Sequence, residues 1–448
     1  MSRGSSIGRP AGTRAPRVAI LSIDAVGHLN PMLAVASALA SQTQSPCVRA
    51  YGSAGLASLF VAAGTEFETL ALRPAAARPT WSSGGFEPSA LAVKSFLNPQ
   101  DGLAELVDSI ARFRPDVVVH DVFDLRGAVV SRTLGVPAGT LLPFAGLRAL
   151  GEGFAEEHGQ PHPALFAAND RLIRDFGVDI LGDDVCLPVL FPSRELSLVT
   201  AIEEQSPPSG SLRDDTLDVI ERSLESALHW VGPCLGDVHW GGAASANFPI
   251  ARAAERRASG ALTVLFSLGT NIMTFRRGMP MGGATSGDEF VEAAVDLLLD
   301  ALGEDDAYQL LVATGGWTPA RSRGWPGNAV VGDVLPQRRL LAEATDVFIT
   351  HHGYNSTVEA TAHGVPMVAF PGYGDQVSNA EFAVRRGVSI ARWDLRAPVT
   401  TCTAEDLRQA VDAAASPTGP PAKLPALRRE LELAGGATAA ADLILGLV

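Results

Sequence analysis

The richest chemistry in the chain lies at residues 350–359, THHGYNSTVE. Gly353 lets the backbone approach a ligand closely, and Asn355, Ser356 and Thr357 are residue types that cap a helix whose first amide groups point outward. A helix start carries an effective charge of about +0.5 and is a ready seat for a phosphate group. His351 and His352 can add donors beside it, although two histidines before a capped helix also fit an ordinary loop. Glu359 follows Asn355 by four positions, on the same helix face one turn further in. There its carboxylate can accept both hydrogen bonds of a ribose diol, a solvated surface glutamate being the plain alternative. Further on, PGYGDQ at residues 371–376 places Asp375 and Gln376 where a loop opens a helix. An acid beside an amide suits a sugar with several hydroxyls.

A second kind of chemistry sits near the other end of the chain. GHLNP at residues 27–31 follows an apolar run, which places His28 at the carboxyl edge of a sheet. An imidazole with a reference pKa near ~6.5 is suited to take a proton from an alcohol as it attacks. A lone loop histidine is also a common structural residue. Another strand, DVVVH at 116–120, delivers Asp121 to the same edge, where a carboxylate can hold His28 in the useful tautomer and stabilise the imidazolium. Asp124, three residues on, competes for that role.

These residues need elements to hold them. Residues 17–23 (RVAILSI) read as a buried strand and 31–41 as a helix with Pro31 in its first turn. Strands follow at 47–51, 116–120 and 138–142, with a helix near 103–113. A second series is expected at 262–268, 308–313, 329–331, 346–350, 366–370 and 388–391, and a final helix over 425–448. Apolar strands alternating with helices predict parallel sheets covered on both faces, whose ligands gather beyond the carboxyl ends of the strands. The expected division is a flexible tail at 1–16, an acceptor-binding lobe at 17–239, a linker at 240–258 and a donor-binding lobe at 259–448. Residues 278–287 (GMPMGGATSG) read as a mobile insertion. Loops at 81–86 and 152–163 are expected to bound the acceptor, and His158 and His162 in the latter are read as acceptor-lining or exposed.

From VLPQ at 334–337 through residues 351–380 the sequence resembles the nucleotide-sugar-dependent inverting glycosyltransferases with GT-B architecture, the family of macrolide and plant natural-product UDP-glycosyltransferases. The resemblance rests on His351, Gly353, Asn355, Ser356, Glu359, Pro366, Pro371, Asp375 and Gln376, in order and with family-like spacing. It implies an α/β fold of two doubly wound Rossmann-like domains facing across a cleft. It further implies that His351, Asn355 and Ser356 contact the diphosphate, Glu359 the ribose, Asp375 and Gln376 the hexose, and Gln337 the region of the nucleobase. SLGT at 267–270 is similar to the family's first donor-lobe loop, in which Ser267, Gly269 and Thr270 approach the phosphates, and GHLNP is similar to its catalytic segment around His28. Two positions depart from the pattern. Val334 stands where many members carry a tryptophan that stacks on uracil, and Tyr354 where plant members have tryptophan. UDP-sugars are the favoured donors, and dTDP-sugars stay open.

Composition bounds the rest. A chain of 448 residues suits two lobes, and 46% hydrophobic with 19% charged residues is the balance of a soluble globular protein. A net charge of -14 argues against nucleic acid or an anionic membrane as partner. Four scattered cysteines suggest neither a zinc knuckle nor a disulfide framework. No apolar run is long enough to span a bilayer, and a cytoplasmic enzyme is expected, with a homodimer left open. No carboxylate metal pair is evident, so no metal or other cofactor is expected beyond the nucleotide-sugar co-substrate and a small-molecule acceptor. The rival readings are a nucleotide-sugar epimerase of the same architecture and a non-catalytic homologue acting as an auxiliary partner.

Overall fold

The structure is a computed structural model that describes residues 14–70, 88–151, 153–210, 216–238, 248, 250–318 and 324–448. Most of the expected tail, the loop at 81–86, residue 152 and residues 240–247 and 249 of the expected linker lie outside the described residues.

The first lobe is a seven-stranded parallel sheet of β1 (Arg17–Leu21), β2 (Cys47–Gly52), β3 (Glu66–Thr69), β4 (Val117–Asp121), β5 (Ala138–Leu142), β6 (Leu196–Val199) and β7 (Leu228–Trp230). Its spatial order is β3-β2-β1-β4-β5-β6-β7. The second lobe holds β8 (Leu262–Ser267), β9 (Tyr308–Ala313), β10 (Ala329–Gly332), β11 (Val347–Thr350), β12 (Met367–Ala369) and β13 (Ser389–Ile390), in the order β10-β9-β8-β11-β12-β13. Every pairing is parallel, as in β1 on β4, where Leu21 faces His120, and β8 on β11, where Ser267 faces Thr350. Val117, Val118 and Val119 of β4 are wholly buried, which explains their unbroken apolar run: a parallel strand covered by helices on both faces has no polar side.

In each sheet the strand order reverses once, between β1 and β4 and between β8 and β11. Loops leaving neighbouring strands at such a point diverge to opposite faces and open a crevice for a ligand. The residues singled out for chemistry follow these four strands: His28 after β1, Asp121 at the end of β4, Ser267–Thr270 after β8, and His351–Gly353 after β11.

Several expectations are corrected. The helix expected at 31–41 spans Val26–Ala40, which puts Pro31 in its interior. The helix expected over 425–448 is two, Leu424–Leu433 and Gly436–Leu445, separated where Gly435 adopts a φ of 93° that a helix cannot continue through. The second of these leaves the donor lobe, to which residues through 448 were assigned. Its Ala440, Ala441, Ile444 and Leu445 join Val18, Ile20, Met32 and Leu33 in a core of the first lobe, and Gln42 Nε2 donates to Asp442 at 2.8 Å. The segment at 278–287 is packed rather than loose, since Met281 and Ala284 are buried in the donor-lobe core. No helix among the described residues is long and apolar enough to cross a membrane.

Candidate active site

His28 lies in the first turn of the Val26–Ala40 helix, and its Nδ1 is 2.8 Å from Asp121 Oδ2. The other carboxylate oxygen accepts the Phe123 backbone N–H at 2.8 Å, and Asp121 is fully buried. An ionised carboxylate only accepts, so the Nδ1 position carries the proton and Nε2 keeps its lone pair. The Phe123 ring packs on the imidazole, centroids 5.1 Å apart. Asp124 is excluded as the partner: its Oδ1 caps the Leu125–Leu134 helix at Arg126 N, and its carboxylate is paired with the Arg126 guanidinium at 2.6 and 2.7 Å.

In the second lobe Gly353 is the N-cap of the Tyr354–Ala362 helix. Asn355, Ser356 and Thr357 are inside the helix instead of capping it. This leaves the Asn355 side chain free to cross to the first lobe, where Nδ2 donates to the Gly27 carbonyl at 2.9 Å. His351 stands beside the helix start, its Nδ1 3.3 Å from the Ser267 carbonyl. A carbonyl can only accept, so here too Nδ1 is the protonated nitrogen. The Nε2 donor expected for a phosphate therefore exists only in the charged ring, and burial holds the imidazole down to about 4 in the absence of an anion. That Nε2 faces two glycines, where a Cβ on Gly269 or Gly353 would lie 2.7 or 2.4 Å away. Only residues without side chains leave room for the ring. His352 contributes nothing to the cradle: its ring is buried between the hydroxyls of Thr357 and Ser389, each 3.0 Å away. Ser267 Oγ accepts the Gly269 N–H at 3.3 Å, while Thr270 is exposed at the loop's end.

Gln337 reaches the same helix, donating to Glu359 Oε2 at 2.8 Å and to Ser356 Oγ at 3.2 Å, and burial raises the Glu359 carboxyl. The expected nucleobase residue and ribose residue are thus in one hydrogen-bonded group. Val334, ahead of them, is 47% exposed. Asp375 opens the Asp375–Arg385 helix, and Asn379 Nδ2 donates to it at 3.0 Å while also donating to the His352 carbonyl. Burial pushes the Asp375 carboxyl up to about 6, with Asn379 and the charge of His28 opposing it. Gln376 turns its Oε1 back to the N–H groups of Gly372 and Tyr373. Asn379 escaped the sequence reading, although its spacing of four from Asp375 on a helix was a usable signal.

The lobes meet at further points. Tyr354 OH donates to the Thr200 carbonyl, Ser378 Oγ to the Ala149 carbonyl at 3.2 Å, and Arg276 pairs with Glu157 at 3.6 Å. Tyr354 is buried in this contact. In the first lobe Phe123, Phe144, Phe154 and His158 form a chain of aromatic contacts leading away from His28. His158 is buried with Nδ1 against Ser89 Oγ at 2.8 Å, and His162 accepts the Ala164 N–H as a helix cap. Among the described residues no three His, Cys, Asp or Glu side chains converge as a metal site.

Comparison with known proteins identifies what the chain is similar to. Residues 300–416, which include Gln337, His351–Glu359, Asp375 and Gln376, match the family described as UDP-glucoronosyl and UDP-glucosyl transferase. The chain is 27% identical to the oleandomycin glycosyltransferase of Streptomyces antibioticus over 96% of its own length and 91% of that protein's. It is a glycosyltransferase of GT-B fold. It is also 26% identical to the demethyllactenocin mycarosyltransferase of Streptomyces fradiae, covering 97% of this chain and 87% of the other. Among solved structures, the glycotransferase of kitacinnamycin superposes with a TM-score of 0.67 at 26% identity, over 97% of this glycosyltransferase and 100% of that chain.

Proposed function

We propose that this enzyme moves a hexose from a nucleoside diphosphate, a UDP-sugar first and a dTDP-sugar as the competing class, onto a hydroxyl of a small natural-product acceptor, with inversion and without a metal. The observation that carries the reading is the His28–Asp121 pair at one sheet's switch point, facing the Tyr354–Ala362 helix start at the other's. The acceptor hydroxyl gives its proton to His28 Nε2 while its oxygen bonds to the anomeric carbon. On the opposite side the bond from that carbon to the diphosphate oxygen breaks. Charge building on the imidazole is met by Asp121. Charge building on the leaving diphosphate is met by the helix start and by His351, whose imidazolium is favoured once the anion is beside it. One displacement inverts the anomeric centre, so an α-linked donor gives a β-glycoside.

The exposed Val334 offers an apolar edge to a base without the stacking ring that would select uracil, which supports testing both nucleotides. The aromatic run from Phe123 to His158 favours a flat or macrocyclic apolar acceptor, and the macrolide glycosyltransferases among its relatives point the same way. An epimerase needs no acceptor base, and an inactive homologue has no need of the His28–Asp121 bond. The test is a screen of UDP- and dTDP-hexoses against macrolide and phenolic aglycones in excess EDTA, with the anomeric coupling of the product read by NMR. Retained configuration, or activity that returns only with magnesium or manganese, would defeat the mechanism.

A further inference from the structure

Pro31 is an unexplained residue in this fold. It lies in the interior of the Val26–Ala40 helix, where proline is strongly disfavoured because it has no N–H for the carbonyl four residues back and its ring crowds that carbonyl. The carbonyl four residues back is that of Gly27. It is also the group that accepts the Asn355 Nδ2 hydrogen bond at 2.9 Å from the opposite lobe. A Cβ at Gly27 would lie 3.9 Å from Asn355 Nδ2, in ordinary van der Waals contact, so the two lobes are close packed at this point.

We propose that Pro31 is a positioning residue for the nucleotide: by withholding its N–H it leaves the Gly27 carbonyl to hold the Asn355 amide across the cleft, so that a first-lobe residue sets the second lobe's affinity for a nucleoside diphosphate. The Asn355 amide has two hydrogens and an oxygen. Binding one hydrogen to Gly27 fixes the rotamer and presents the remaining hydrogen toward the helix start. Alanine at position 31 restores an N–H aimed at the Gly27 carbonyl and draws that carbonyl back toward the helix axis. Asn355 then loses its anchor, and its freed side chain must be ordered by the ligand itself.

This inference rests on the nucleotide-sugar reading, and the experiment separates the two. UDP and dTDP are titrated calorimetrically into the full-length enzyme and into Pro31→Ala, Asn355→Ala, the double variant and His28→Ala. Alanine is the better helix former, so Pro31→Ala is expected to fold, and circular dichroism verifies it. Pro31→Ala should weaken nucleotide binding about twofold to tenfold, the worth of one neutral hydrogen bond, although residue 31 is in the other lobe. On the Asn355→Ala background the same change should cost nothing, and His28→Ala should leave the affinity as it was. An unchanged affinity for Pro31→Ala, an equal loss with Asn355 absent, or an equal loss from His28→Ala would each overturn the positioning role. Failure of the unaltered enzyme to bind either nucleotide would remove the nucleotide-sugar reading, and this inference with it.

Discussion

Asp121→Asn changes one atom and should nonetheless disable the base. Asp121 holds two demands at once: Oδ1 accepts the Phe123 N–H at 2.8 Å and Oδ2 accepts from His28 Nδ1 at 2.8 Å. Asparagine has one oxygen. Facing that oxygen to His28 leaves the Phe123 N–H against an NH2 group, a buried unmet donor that costs about 1–3 kcal/mol. The amide therefore turns its oxygen to Phe123 and its NH2 to His28, and Nδ1 becomes the acceptor. The ring proton moves to Nε2, the atom that must receive the acceptor's proton. To this is added the loss of a charge-assisted bond to the imidazolium, about 1.5–3 kcal/mol. The sum of about 2.5–6 kcal/mol corresponds to a turnover lower by about 10²–10⁴. Single-turnover rates at saturating donor measure this, and nucleotide affinity should be unaltered. Asp121→Ala frees the ring to sample either tautomer, so the isosteric asparagine should be no better than alanine. An asparagine variant within tenfold of the unaltered enzyme, or clearly faster than alanine, would refute the tautomer argument.

His28→Ala should lower turnover by about 10²–10⁴ without weakening calorimetric binding of UDP or dTDP, whereas His351→Ala should weaken that binding directly; the reverse pattern would show the tasks of the two lobes to be misassigned. For Asp375, raised to about 6 by burial against an unfolded value near ~3.9, the folded protein binds more protons between those values. Its contribution to stability is thus present in acid and is lost as pH rises through about 6. Melting temperatures from about pH 4 to pH 7 should show Asp375→Asn gaining on the unaltered enzyme as pH rises, and a constant difference would show that folding leaves the Asp375 carboxyl where it is in the unfolded chain.

What could be read in the sequence depended on whether the signal was local. The candidate donor segment stood out because most of its residues lie within 26 positions, from His351 to Gln376, and each is of a particular chemical type. The buried strands β1, β4, β8 and β11 announced themselves by apolar runs. β3 (EFET) and β7 (LHW) did not, being short and only partly buried at the two edges of their sheet. The start of the first helix was misplaced because Ala25 offers no capping oxygen and Pro31 imitates a first-turn residue. Asp121 was preferred for its place at the strand end, but its rival Asp124 fell away only once Arg126 was seen to occupy it. The hydrogen bond from Asn355 to Gly27 joins residues 328 positions apart, and no periodicity in either segment foretells it.

The return of the Gly436–Leu445 helix makes the first lobe discontinuous along the chain, and this governs how the enzyme can be recombined. A first lobe transplanted from a relative by a single cut before β8 would arrive without the helix that covers Val18, Ile20, Met32 and Leu33. It would meet in its place a helix evolved against a different sheet. A chimera that keeps its core intact needs a second junction at Gly435, where the left-handed turn already separates the two terminal helices, so that the last thirteen residues travel with the first lobe.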